Sequence, residues 1–67
     1  MILVNGKPVQ LAERPTIRDV LVGLDIDPEA AGIAVAVDRE IARRRDWPTR
    51  TLEEGARVEI VTATQGG

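Results

Sequence analysis

Short apolar runs interrupted by turn residues open the chain. Ile2–Val4 is followed by Asn5 and Gly6, and polarity then alternates over Val9–Leu11. Asn-Gly favours a tight hairpin turn because both residues tolerate a positive φ. The first eleven residues therefore predict a β-hairpin. Pro8 has no N–H to donate to a neighbouring strand, so we expect the second strand at a sheet edge.

The next segment has a helical spacing. Thr16 is a good N-cap residue, and Asp19 suits the first turn of a helix. Four apolar residues then share one helical face, at positions i, i+3, i+4 and i+7: Ile17, Val20, Leu21 and Leu24. Gly23 weakens the end of this helix and Pro28 prevents its smooth continuation. The pattern predicts one helix, followed by a connection over Asp25–Gly32.

Strand patterns return in the second half of the chain. Large β-branched side chains occupy alternate positions of Ile33–Val37, and a turn at 38–40 leads into a brief return strand at Ile41 and Ala42. Arg57–Ala63 is the predicted last strand. Leu52 lies just before it in a short turn that ends at Gly55.

The predicted order is strand, strand, helix, strand, short strand, strand. This order favours an α+β domain of the β-grasp (ubiquitin-like) type, a mixed sheet of four to five strands packed on one main helix. The first and last strands are then parallel neighbours at the sheet centre, because the helix provides the crossover between them. We expect a domain over residues 1–63 and a flexible tail over 64–67.

Alternation along the strands also assigns two faces to the sheet. The side that faces the helix takes Ile2, Val4, Leu11, Ile33, Val35, Val37, Val58 and Ile60. These residues and the four apolar residues of the helix form the predicted core. Leu3, Val61 and Ala63 then point to the side that no helix covers, together with Ala34 and Ala36. Leu3 and Val61 are near neighbours there if the first and last strands are adjacent. These residues are either ordinary exposed apolar side chains or a modest patch that binds a partner protein.

The amino-acid composition limits the reactions that the side chains of this protein can perform. The 67 residues contain no Cys and no His, which excludes disulfides and the Ser–His and Cys–His pairs of nucleophilic catalysis. A zinc site would need carboxylates alone, so we expect no metal site. We expect a carrier or co-substrate rather than an enzyme.

Net charge and hydropathy bear on whether the protein binds nucleic acid or a membrane. A net charge of -2 and a single aromatic residue give no case for nucleic-acid binding. No apolar run approaches the roughly 20 residues of a membrane span. We therefore expect a cytoplasmic protein that contacts neither nucleic acid nor membrane.

The chain ends Ala63-Thr64-Gln65-Gly66-Gly67. A tail containing Gln65, Gly66 and Gly67 is slim enough to thread a narrow channel, and it presents the α-carboxylate of Gly67. A carboxylate can attack the α-phosphate of ATP to give an acyl-adenylate, which is open to a sulfur or nitrogen nucleophile. A partner enzyme would supply the metal ion and the electrostatic stabilisation. The alternative is a frayed end without a function.

A family resemblance rests on five segments of the sequence. They are Val4-Asn5-Gly6, Pro15-Thr16-Ile17, Ile33–Val37, Arg44 with Trp47, and the ending from Gly55 to Gly67. Over essentially the whole chain these look like the ThiS family, the sulfur carriers of bacterial thiazole biosynthesis. Two residues depart from the family pattern: Arg43 stands where proline is frequent, and Asp38 stands where asparagine is frequent.

The resemblance implies a cycle of partner enzymes. A ThiF-like adenylyltransferase activates the Gly67 carboxylate with ATP and Mg, and the carrier itself binds no cofactor. A sulfur donor such as a cysteine desulfurase then converts the terminus to a thiocarboxylate. Finally, a ThiG-like thiazole synthase takes the sulfur while the Gly-Gly tail lies in its active site.

Other functions remain open at this stage. The same fold and tail suit a sulfur carrier of molybdopterin or cysteine synthesis, a ubiquitin-like modifier joined to a lysine, or an interaction domain with an inert tail. Trp47 is expected to be half buried, as a lid on the core beside Leu52. The run Arg43-Arg44-Arg45 is expected to be a solvated face, with contact to an acidic partner surface as the alternative.

Overall fold

A computed structural model describes residues 1–11 and 13–63 of the chain. Its elements are β1 (Ile2–Val4), β2 (Lys7–Val9), α1 (Ile17–Gly23), β3 (Ile33–Val37), β4 (Glu40–Ala42), a 3₁₀ turn (Arg44–Asp46) and β5 (Arg57–Thr62). The strands form one sheet in the order β2-β1-β5-β3-β4. β1 and β5 are parallel, and the other pairs are antiparallel. The predicted α+β, β-grasp fold is confirmed, with β5 at the sheet centre.

Two tight turns build the two hairpins of this sheet. Asn5 and Gly6 join β1 to β2 with φ of 50° and 83°, and Asp38 and Arg39 join β3 to β4 with φ of 49° and 73°. A turn with a positive φ at both central residues twists in the same sense as the two strands that it joins, so it suits a hairpin. Pro8 lies in β2 at the sheet edge, as its missing N–H predicts.

The start of α1 is closed by a capping box. The Asp19 N–H donates to the Thr16 side chain over 3.1 Å, and the Thr16 N–H donates to the Asp19 carboxylate over 2.9 Å. Within the part of the chain described, no helix has the length and apolar character needed to cross a bilayer.

One face of α1 is the centre of the core, but its predicted fourth residue is not part of it. Ile17, Val20 and Leu21 are buried completely. Leu24 is 37% exposed, so its predicted core position is wrong. The helix ends at Gly23, and Leu24 is its C-cap residue: its N–H still donates to the Val20 carbonyl, but its φ of -99° and ψ of 13° are no longer helical, so a strictly helical spacing does not describe its side chain.

The core forms between α1 and the inner face of the sheet. Its buried residues are Ile2, Val4, Ile17, Val20, Leu21, Val35, Val37, Ala42, Trp47, Leu52, Ala56, Val58 and Ile60. Leu11 and Ile33 pack against this cluster and are partly buried. Trp47 is only 3% exposed, so the prediction of half-burial was too low. Its ring N–H donates to the Ala42 carbonyl over 3.1 Å, which satisfies the ring's polar atom inside the core.

Candidate functional site

The last described residues show how the chain leaves the sheet. β5 ends at Thr62, and the exposed Ala63 follows it. The Ala63 N–H donates to the carbonyl of Gly32 over 2.7 Å. Gln65, Gly66 and Gly67 lie outside the described residues, so their predicted role and the proposed boundary at residue 64 stay predictions.

The strand that leads to this exit is held on both sides. β5 pairs with β3 from Val58 to Thr62 and with β1 at its beginning. Past the end of β1, the Asn5 side chain continues the pairing: its Oδ1 accepts the Ile60 N–H over 2.8 Å, and its Nδ2 donates to the Ile60 carbonyl over 3.2 Å. The Asn5 carboxamide thus makes the two hydrogen bonds to Ile60 that the backbone of a longer β1 would otherwise make. The sequence offered only a turn role for Asn5.

The outer face of the sheet, on the side away from α1, carries an apolar strip. We define this apolar strip as Ala34, Ala36, Ile41 and Val61. Val61 lies opposite Ala34, and Ile41 lies opposite Ala36. Ile41 is 74% exposed and Val61 is 63% exposed. The strip reaches the end of β5, so a partner that covered it would also contact the chain where it leaves the fold.

Leu3 does not join this strip. The register of the parallel pair places Leu3 opposite Arg57, four residues before Val61 on β5. Four strand residues span about 13 Å. The expectation that Leu3 and Val61 are near neighbours is therefore wrong, although both lie on the outer face. Leu3 instead lines a shallow groove with Arg39, Arg57 and Glu59, at the opposite end of the sheet from Ala63.

One residue of the Arg43-Arg44-Arg45 run makes contacts within the fold. Arg44 donates to the carbonyls of Pro28 and Ala30, and its guanidinium lies 4.6 Å from the centre of the Trp47 ring. A cation over an indole face is attracted by the ring's electrons. Arg43, Arg44 and Arg45 are all exposed, as expected for a solvated face, but Arg44 in addition fixes the loop after α1. The spacing of three residues between Arg44 and the lone Trp47 was a sequence signal for their stacking, whereas nothing local indicated the contacts with the loop.

The described residues offer no obvious resident metal centre. Over residues 1–11 and 13–63, no three His, Cys, Asp or Glu side chains are grouped so that they could hold a metal ion. What the described structure does present is a central strand paired on both sides and an exposed apolar strip beside the end of that strand. With the single helix packed on one face of the sheet, these features define the β-grasp class of domains.

Comparison with known proteins agrees with this class. The ThiS family model matches residues 2–67. The chain is 36% identical over 67 residues to the sulfur carrier protein ThiS of Thermus thermophilus, with 100% of each chain covered. It is 29% identical over 66 residues to the sulfur carrier protein ThiS of Escherichia coli, covering 98% of this chain and 97% of that one. The chain belongs to the ThiS family.

Solved structures give the same result. A crystal structure of the thiamine biosynthesis protein ThiS from Geobacter metallireducens superimposes with a TM-score of 0.79 at 28% identity, covering 98% of this chain and 97% of that one. A solution structure of a thiamine biosynthesis protein from the same organism gives a TM-score of 0.78 at 29% identity, covering 98% and 86% of the two chains. The predicted family and the predicted sulfur-carrier function are confirmed. Carriers of this family work with partner enzymes in sulfur transfer.

Proposed function

We propose that this protein carries sulfur for thiazole formation in thiamin biosynthesis, as a thiocarboxylate on Gly67. The observation that carries the proposal is the match to named sulfur carriers along the chain, including the residues beyond β5. The described structure supports it, because the strand that leads to the tail is the central strand of the sheet and has a paired strand on each side. A rigid base is what a tail needs if it is to enter a partner's active site in a reproducible direction.

The chemistry takes place in two steps on the terminal carboxylate. A Gly67 carboxylate oxygen attacks the α-phosphorus of ATP, a new P–O bond forms, and pyrophosphate leaves. A sulfur nucleophile at the oxidation level of sulfide then attacks the acyl carbon, and AMP leaves with the oxygen that joined it to the carrier. The product is a thiocarboxylate, which can donate its sulfur as a nucleophile.

The partner enzymes provide what the carrier lacks. In this proposal a ThiF-like adenylyltransferase holds ATP and Mg²⁺, and a donor such as a cysteine desulfurase supplies sulfur as a persulfide. A thiol reductant releases this sulfur at the level of sulfide and is itself oxidised to a disulfide. A ThiG-like thiazole synthase then accepts the sulfur from the carrier. The carrier is a co-substrate of these enzymes and acts in the cytoplasm. Metal ions and oriented donors in the adenylyltransferase stabilise the charge that develops on the phosphate.

The outer face provides the docking surface in this proposal. Val61 and Ala63 lie beside the exit of the tail, so a partner seated on the apolar strip covers them first. Leu3, about 13 Å away along the sheet, belongs to the margin of the same surface. Exposed apolar area of this kind is typical of protein-binding surfaces.

The test is the intact mass of the protein after incubation with ATP, Mg²⁺, a cognate adenylyltransferase and a sulfur source. We expect a gain equal to the replacement of one oxygen by sulfur, located in the C-terminal peptide. The control is a variant that lacks Gly66 and Gly67, which should keep its fold and gain no mass. An unchanged wild-type mass, with the enzyme active on another carrier, contradicts the proposal. Reductant-resistant adducts with other proteins indicate a ubiquitin-like modifier instead.

A further inference from the structure

We propose that Gly32 is a positioning residue that sets the direction in which the chain leaves β5. Through that direction it controls the approach of the tail carboxylate to the adenylyltransferase. This inference rests on the proposed function and deepens it, since it assigns the exit geometry to one residue of the loop before β3.

Gly32 makes the last described contact before the tail. Its carbonyl accepts the Ala63 N–H over 2.7 Å. Its own φ is +81°, a conformation that residues with a Cβ adopt reluctantly. A Cβ built on Gly32 would lie 3.1 Å from the Ala63 carbonyl oxygen and 3.6 Å from the Ala63 Cβ. The missing side chain therefore leaves room for the backbone of Ala63 to lie against the loop.

Gly32 is held in place by more contacts than Ala63 is. Arg44 holds the preceding loop by donating to the carbonyls of Pro28 and Ala30. Directly after Gly32, Ile33 pairs with Thr62. Ala63 follows the last paired residue of β5, so crowding at position 32 displaces Ala63 rather than the loop.

A displacement at Ala63 changes the direction in which the chain leaves β5. The Ala63 carbonyl belongs to the planar peptide unit that leads into Thr64, so moving its oxygen turns that plane. In the proposed complex the partner covers the outer face, so this change of direction alters how the tail carboxylate is presented to ATP. Misplacement of a reacting group by about 1 Å can reduce a rate about a hundredfold.

The chain offers a matched control for the substitution Gly32→Ala. Gly55 has a φ of +86°, nearly the same as Gly32, but nothing lies within 4 Å of a Cβ built there. Gly55→Ala therefore introduces the same backbone strain without touching the exit of the tail. Comparing the two variants separates crowding at Ala63 from a general loss of stability.

The experiment measures ATP–pyrophosphate exchange by the adenylyltransferase as the concentration of carrier is varied. We expect Gly32→Ala to lower kcat about five- to tenfold relative to Gly55→Ala, with a smaller change in KM for the carrier because Ile41 and Val61 of the apolar strip stay in place. Both variants should lose a similar amount of thermal stability. Hydrogen exchange should show the Ala63 amide exchanging faster in Gly32→Ala than in Gly55→Ala.

A second variant addresses the same contact from the other side. Ala63→Pro removes the N–H that donates to Gly32, and it lies outside β5, so the core is untouched. It should also lower kcat, by a larger factor than it raises KM, since Ala63 lies only at the end of the proposed docking surface. If neither variant has a lower kcat than Gly55→Ala, the inference is overturned while the proposed function stands. If the adenylyltransferase does not activate the wild-type protein at all, the proposed function and this inference both fail.

Discussion

The two faces of β5 differ in what each residue does, although they belong to one strand. On the inner face Val58 and Ile60 are buried against α1 and the rest of the core. On the outer face Arg57, Glu59 and Val61 are exposed and do not belong to the core. A step of one residue along a strand reverses the direction of the side chain. The fold and the proposed docking surface can therefore be changed independently, and substitutions on each face test this separation.

The largest expected effect comes from the core, at Trp47. Trp47→Ala should lower the free energy of unfolding by about 3–5 kcal/mol, because it removes a fully buried ring and leaves a cavity. A 67-residue domain has roughly 3–10 kcal/mol of stability in total, so this substitution removes between about a third and all of it. Urea denaturation followed by far-UV circular dichroism measures the change. An unchanged unfolding midpoint contradicts the assignment of Trp47 to the core.

A matched pair of isoleucines compares the faces directly. Ile60 is 8% exposed on the inner face, whereas Ile41 lies on the outer face among the apolar strip. Ile60→Ala should cost about 2–4 kcal/mol of stability, and Ile41→Ala should change it by less than about 0.5 kcal/mol. Thermal melts of the two variants under identical conditions give the comparison. Equal losses at both positions would show that the outer face is also structural.

The smallest effect is expected on the outer face itself. Val61→Asp should leave the melting temperature unchanged and raise KM for the adenylyltransferase about tenfold, or about 1.4 kcal/mol, because a charge must be desolvated when the partner covers it. The control is Val22→Asp, since Val22 is exposed on α1, on the opposite side of the sheet. Steady-state kinetics with wild-type carrier as reference measure both. Equal KM values for the two variants would remove Val61 from the docking surface.

Local patterns in the sequence predicted most of the fold. The Asn5-Gly6 turn, the cap at Thr16 and the alternation in β3 each depend on neighbouring residues, and each prediction is confirmed. These features are encoded over a few positions, so a single sequence is enough to find them. The sheet order then followed from the crossover that α1 provides.

Properties that depend on distant residues were harder to predict. Alternation assigns a face to Leu3 and Val61 but does not fix how far one strand is shifted along the other, so their separation was missed. The contacts of Arg44 with a loop some fifteen positions earlier have no local signature. The hydrogen bond from Ala63 to Gly32 likewise joins residues that only the completed sheet brings together.

The pairing of β1 with β5 also bears on how the protein is made. Asn5 and Ile60 are 55 positions apart, and β5 is the central strand of the sheet. A nascent chain on the ribosome cannot complete its sheet until β5 has emerged from the exit tunnel, so folding waits for the residues of this strand. Pairing over such a separation is slow relative to local contacts, and the apolar edge of β1 stays open to aggregation meanwhile. The same pairing forms the outer face, so an incompletely folded chain lacks the surface proposed above for partner binding.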